Sequence, residues 1–398
     1  MTEDKHRFRI EGAAAESLVQ DLAAKSFFID WCFPNPKLPD GRELCDLLVV
    51  FDDIAIIWQI KNVKLRKDGY YSKKEVTKNI RQILGARRQL FERKTPISLK
   101  NSRRHTEMFD PSAIREVYLI SVLAGEGELD SNLAELKGDQ FVHMFTGAFL
   151  EIALNELNTV GDFVQYLKAK EAYLKSVEHL QIHGGEEELL AFFLIHGRSF
   201  EELVGAHAVV FDYGNWQEFE HSPEYLAKKQ ADHISYGWDE IVDRIHERGS
   251  EKYELVAREL ARPNRFQRRV LAKVFYDAHM AAHQNTECSD LRRVMPWDNG
   301  RTYCFVFKDE PEPRKHRKAL LETLCLVARV KCPKNQIVVG VATEKTFKPT
   351  TSYDYCLSIM PEITPEVRRR VEEIQKETGL LTDLTEETVH EDEYPSGS

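Results

Sequence analysis

Residues 43–62 read ELCDLLVVFDDIAIIWQIKN. Two apolar runs meet at Asp52-Asp53, the pattern of two strands joined by a short turn, where Asp is favoured for local hydrogen bonding. Both runs carry polar residues that a core would not choose: Asp46 in the first, Gln59 and Lys61 closing the second. Successive side chains of a strand face opposite ways, so Gln59 and Lys61 share one face and Ile60 takes the other. A turn at 52–53 sets position 46 opposite 59 or 60, which gathers a carboxylate, an amide and an ammonium at one end of the sheet. Burying such groups without partners costs on the order of several kcal/mol. A hard cation, Mg²⁺ or Mn²⁺, is a good compensator. The Asp46 and Gln59 side-chain oxygens and the Ile60 carbonyl would supply an all-oxygen half-shell, with positions left for water and phosphate. Lys61 beside a metal-bound water would orient it or stabilise charge developing on phosphorus. The residues therefore point to metal-dependent phosphodiester hydrolysis. The competing reading is a structural ion pair between Asp46 and Lys61 with Gln59 on an exposed strand edge, and a buried pair adds little stability.

Outward from this hairpin, residues 13–25 have helix formers at helical spacing, and 26–33 (SFFIDWCF) read as an aromatic, β-branched strand. The loop 34–41 holds three prolines and a glycine. Strands are expected at 43–51, 54–61, 114–123 and 140–146. An amphipathic helix is expected over 73–93, with Ile80, Ile83, Leu84 and Leu90 inward. This order predicts an α/β class with a central mixed sheet. Two helices follow within 147–177. Beyond a turn at 182–188 the pattern is mostly helical to about 285, then α+β. The chain's 398 residues suit two domains, expected at 1–178 and 179–398.

The net charge of −10 argues against a general polyanion binder, but its distribution does not. Between Lys61 and Arg104 stand 15 Lys/Arg against 3 Asp/Glu, a local charge of +12, and so concentrated a basic segment attracts polyanions. The N-terminus lacks a signal-peptide pattern and no apolar run approaches the ~20 residues of a membrane span, so a cytoplasmic protein without membrane contact is expected. The seven cysteines form no CxxC pair and read as reduced thiols. No Walker loop, GxGxxG or nucleophile motif is present.

Taken together, a Glu-bearing helix, an acid on one strand, Gln-x-Lys on the next and a basic helix after it resemble the PD-(D/E)XK nuclease superfamily. The Gln form of the last motif resembles its Mrr-type restriction endonucleases. The likeness covers about residues 1–146 and departs in lacking a proline before Asp46, where Cys45 stands. It implies a restriction-endonuclease-like core with catalytic Asp46, Gln59, Lys61 and Glu16, and metal held by Asp46, Gln59 and Ile60. Lys64, Lys73, Lys74, Lys78, Arg81, Arg87 and Arg88 would contact nucleic acid. DNA is the implied substrate, with RNA an open alternative. Two sites are needed to cut a duplex, so a homodimer or higher homo-oligomer is expected. By analogy the role would lie in prokaryotic restriction or anti-phage defence, with residues 179–398 serving recognition, regulation or assembly, and a partner protein among the expectations. The rival reading is a catalytically inactive nucleic-acid-binding or assembly subunit that keeps the fold.

Neighbouring features are weighed the same way. Glu11 rivals Glu16 by helical spacing, Glu43 precedes the strand and is a poorer ligand than Asp46, and Asp52 and Asp53 belong to the turn. His279 and His283 share a helix face near Cys288 but lack the metalloprotease glutamate. The segment 261–273 (ARPNRFQRRVLAK) could present phosphate contacts or a solvated face, and 314–318 (RKHRK) is similar. The tail from Glu372 to Glu393, nine acids against one lysine, is expected to fray.

Overall fold

In the computed structural model, which describes residues 12–63, 65–125, 127, 133–246, 253–309, 315–347 and 351–395, the alanine-rich start forms α1 (Gly12–Phe27). The strand expected at 26–33 is a correction. The helix runs through Phe27, a single 3₁₀ turn covers Ile29–Trp31, and only β1 (Cys32–Pro34) is extended. The aromatic run is packing material: Phe27 lies 5.3 Å from Phe163 and Trp31 4.8 Å from Phe51, ring centre to ring centre. High strand propensity reports fit to a buried surface as much as backbone preference.

β2 (Leu47–Phe51) and β3 (Ile54–Asn62) pair antiparallel from Leu47↔Trp58 to Phe51↔Ile54. Two residues turn the chain, and Asp52 takes the left-handed conformation there (φ 53°), which Asp tolerates better than most residues. β2 is shorter than expected because 43–46 leave the ladder, although the Asp46 N–H still donates to the Trp58 carbonyl at 3.2 Å. α2 (Lys73–Arg87) passes into one π-helical turn over Arg88–Glu92. A small hairpin, β4 (Ser98–Leu99) and β5 (Glu107–Met108), precedes β6 (Glu116–Ala124), β7 (Ala134–Lys137) and β8 (Gln140–Thr146). The sheet order is β1-β2-β3-β6-β8-β7, with β3, β6 and β8 parallel and the flanking pairs antiparallel. The fold is α/β with a mixed six-stranded sheet.

Alternation on β3 divides two cores. Ala55 and Ile57 join Leu48, Ile80, Ile83, Leu90 and Leu119 on the α2 side. On the other face Trp58 stacks on Phe163 at 5.5 Å. α3 (Gly147–Glu156) and α4 (Val160–Ser176) follow as expected from 147–177.

The compact unit does not end at the boundary expected at 178/179. It continues to Leu226, and a second unit spans Ala227–Pro395. The reason is visible in α5 (Glu186–Ile195), where Glu186 meets Lys170 of α4 at 2.6 Å with both side chains almost wholly buried, and Tyr166 donates to the same carboxylate at 2.8 Å. Removing one partner of such a pair would strand a buried charge, so α4 and α5 belong to one core.

The second unit carries a four-stranded sheet in the order Asp290–Trp297, Arg301–Lys308, Ile337–Thr343, Asp354–Ile359, with helices that include Arg265–Gln284, Lys315–Lys331 and Pro365–Thr378. The first of these strands and the small parallel pair His179–Ile182 with Ala208–Phe211 in the first unit escaped the sequence reading. The described part of the acidic tail does not fray as expected. Arg269 donates to the carbonyls of Asp392 and Glu393, Lys273 pairs with Glu391, and Arg293 meets Glu387 at 3.2 Å.

Candidate active site

Three elements converge on Asp46. Its carbonyl accepts the Asn35 N–H at 3.0 Å and the Gln20 side-chain amide of α1 at 3.1 Å, which anchors the backbone just before β2. With Leu47 opposite Trp58, position 46 falls opposite 59. The Gln59 Nε2 donates to Asp46 Oδ2 at 2.6 Å, and the Ile60 N–H donates to the same oxygen. A strand residue's N–H and C=O leave the same edge, so the Ile60 carbonyl faces the Asp46 side beyond the end of β2. An amide that donates on one side turns its oxygen to the other, and the Gln59 side-chain oxygen (Oε1) accepts no hydrogen bond among the described residues. From below, the buried Asn79 of α2 donates to the Gln59 carbonyl at 3.2 Å and to Ser121 Oγ of β6 at 2.8 Å. Truncating it would leave two buried acceptors unpaired. Asn79→Ala is therefore expected to lower unfolding free energy by about 1–2 kcal/mol, readable as a shift in the urea midpoint at unchanged slope.

The electrostatics are unusual for a core. Asp46 is 7 % exposed, and its carboxyl is pushed up to about 7. Burial is the main cause and the Glu16 and Glu43 carboxylates add to it, against the lowering effect of the Ile60 N–H and the Gln59 amide. Burial and Glu16 also raise Glu43, and Lys37 partly offsets this. Three carboxylates thus gather at this end of the sheet, with Lys37 acting against the crowding at Glu43. A cavity of about 320 Å³ opens beside them, lined by Leu38, Glu43, Leu44, Cys45, Asp46 and Gln59 on one side and Gln82, Gly85, Ala86 and Gln89 on the other.

The sequence-derived residues fare differently. Asp46, Gln59 and Ile60 meet as the register argument required. Glu16, on α1, lies near enough to act on Asp46 by charge, while Glu11 falls outside the described residues. Lys61 is half-buried on β3, in register with Leu123 of β6, and is not among the cavity-lining residues. Neither Lys61 nor Asp46 takes part in an ion pair among the described residues, so the alternative of an Asp46–Lys61 structural pair is not formed. Asp52 and Asp53 lie at the far end of the hairpin, where the Asp53 carbonyl accepts the Arg115 and Glu116 N–H groups at 2.8 and 3.0 Å. Glu43, expected to be the poorer ligand, lines the same cavity as Asp46. The cavity-lining row Gln82, Gly85 and Gln89, exposed or half-buried, is a set the sequence reading does not single out, although its i, i+3, i+7 spacing after the Gln-x-Lys strand is a usable signal.

Along α2 and the π-helical turn that continues it, Lys73, Lys74, Lys78, Arg81 and Arg88 are exposed; Arg87 is half-buried and meets Glu92 at 3.3 Å. Lys64 lies outside the described residues. The second basic segment is no phosphate surface. Arg265 and Arg268 are buried against Asp239 at 2.7 and 2.8 Å, and Arg269 against Asp232 at 3.1 Å. Arg317 is fully buried between Glu344 and Asp354, and Arg314 of the 314–318 run falls outside the described residues. His279 stacks on Phe307 at 5.0 Å and, like His283, packs on Phe347, an aromatic cluster with no metal geometry. All seven cysteines carry free thiols.

Among the described residues no three His, Cys, Asp or Glu side chains gather as a ready metal cage, and no helix is long and apolar enough to cross a membrane. No protein-family model, curated protein or solved structure matches this chain.

Proposed function

We infer that the first unit is a metal-dependent endonuclease that hydrolyses DNA phosphodiester bonds, in the manner of the PD-(D/E)XK superfamily that its Asp46, Gln59 and Lys61 resemble. The observation that carries this reading is a buried carboxylate with a raised proton affinity, crowded by two more carboxylates, at the wall of an open cavity. Such a cluster is stabilised by a cation. Turning the Gln59 amide over would bring its oxygen to the Asp46 side, where it and the Ile60 carbonyl would complete a hard, all-oxygen donor set. Asp46, Gln59 and the Ile60 carbonyl would hold Mg²⁺ or Mn²⁺, with Glu16 assisting from α1. When bound, the ion polarises the phosphate and lowers the pKa of water. Lys61, on the Gln59 face of β3, neutralises charge that grows on the phosphate oxygens. The exposed face of α2 holds the flanking phosphates.

The test is incubation of the full chain with plasmid in Mg²⁺, Mn²⁺ or EDTA, alongside matched RNA. Metal-dependent nicking or linearisation supports the reading. Binding without cleavage under any metal favours the non-catalytic subunit. Linearisation without a nicked intermediate would indicate two sites acting together, as the expected homodimer provides. The roles of residues 179–398 in recognition, regulation or assembly, a place in anti-phage defence and a cytoplasmic setting belong to the same proposal.

The α2 contacts make a separate prediction. Single Lys74→Ala, Lys78→Ala and Arg81→Ala changes should each weaken DNA binding alike across sequences. Each should also reduce the slope of log affinity against log salt by about 1, as followed by fluorescence anisotropy between low and moderate salt.

A further inference from the structure

Among the described residues nothing requires glycine at position 85. It lies inside α2 with an ordinary helical backbone, and a Cβ added there would meet nothing within 4 Å. No turn, positive φ or close packing asks for it, yet glycine is among the poorest helix formers. The π-helical turn begins only at Arg88. The position is nonetheless distinctive, because Gly85 lines the cavity that also holds Asp46 and Gln59. It sits on the same helical row as Lys74, Lys78, Arg81 and Arg88, all exposed, at offsets of eleven, seven, four and three residues. Gln82 and Gln89 flank it at offsets of three and four and line the same cavity.

We propose that Gly85 is the point where the sugar–phosphate backbone of the cleaved strand passes closest to the protein, between the basic row of α2 and the Asp46 carboxylate. This deepens the nuclease reading and rests on it. The missing Cβ lets a backbone lie against the helix, as glycine does wherever another chain must come near. The neighbouring chemistry suits a nucleic acid strand. Gln82 and Gln89 offer amide donors to phosphate oxygens or base edges at the cavity itself, where Glu43 and Asp46 would repel a phosphate unaided by a cation. The flanking phosphates meet the lysines and arginines further along the same row. A small uncharged metabolite would use the amides but would leave the basic row without a role.

The experiment compares Gly85→Ala and Gly85→Leu with wild type, and with Gln165→Leu at an exposed position of α4 as a surface-leucine control. Both Gly85 substitutions introduce strong helix formers into open space, so neither should lower the melting temperature, and alanine should raise it by roughly 2–4 °C. Cleavage in Mg²⁺, and anisotropy of a labelled DNA duplex, single strand and matching RNA in EDTA, are then measured. Function should fall with side-chain size, leucine losing on the order of 10²-fold in cleavage while Gln165→Leu keeps wild-type activity. If wild type binds and cuts but Gly85→Leu does so equally well, the Gly85 inference fails and the nuclease reading stands. If wild type neither binds nor cuts any of the three polymers, both fall.

Discussion

Above pH 7, in EDTA, Asp46→Asn protein is expected to be more stable than wild type, and in Mg²⁺ it is expected to leave DNA uncut. The stability half follows from proton linkage. The Asp46 carboxyl sits at about 7 in the folded chain against an ordinary value of 3.8. Between those values the folded state holds a proton that the unfolded state has released, so stability falls as pH rises through the window and levels off above it. The full penalty has a ceiling on the order of 4 kcal/mol. Asn cannot ionise, keeps an oxygen for the Ile60 N–H, and escapes the penalty. Its melting temperature should be nearly flat from pH 4 to 8, where the wild type descends. Mg²⁺ should restore the wild type at pH 8, by about 2.7 kcal/mol at a hundredfold excess over its dissociation constant, and leave the variant unmoved. Cleavage should drop by about 10³-fold or more, since the anionic donor is lost. A wild-type melting curve indifferent to both pH and Mg²⁺ would remove Asp46 from any cation site.

Lys61→Ala should separate binding of the ion from chemistry. Lys61 makes no ion pair among the described residues, so truncation breaks no internal salt bridge and stability should change little. If Lys61 stabilises charge on the reacting phosphate, cleavage should fall by about 10²–10³-fold. The Mg²⁺-induced rise in melting temperature should survive, because the donors on Asp46, Gln59 and Ile60 are untouched. DNA affinity in EDTA should fall by little more than a single phosphate contact. Unchanged cleavage would assign Lys61 to the sheet alone. Loss of the Mg²⁺ response would place it among the groups that shape the cation site.

The hairpin was legible because its evidence is local. Period-two alternation and a two-residue Asp-Asp turn leave one register that buries the apolar residues, and a slip by one would reverse every side chain. That register alone puts Asp46 opposite Gln59 and aligns Gln59 with Lys61. The basic row of α2 was legible for the same reason, since a helix repeats on itself. The aromatic run at 26–33 misled because burial and strand propensity select similar residues, and only the partners Phe51, Trp58 and Phe163 show that burial was the cause. The arginines of 265–269 misled in the opposite direction. A string of positive charge looks like a surface until Asp232, Asp239 and the tail carbonyls are seen to neutralise it.

The sequence by itself determined the α/β order, the hairpin register, the meeting of Asp46 with Gln59 and Ile60 at one strand end, and the helix that carries the charge beside it. These follow from spacings of two to four residues, over which covalent geometry dictates direction. Only the tertiary structure decided that Glu43 shares the cavity, that Asn79 props Gln59 from below, that α5 belongs to the first unit, and that Gly85 lines the same cavity as Asp46. Each depends on segments far apart in the chain being brought together by packing. Their placement, and with it the burial and the carboxylate crowding that raise Asp46, is a property of the folded core.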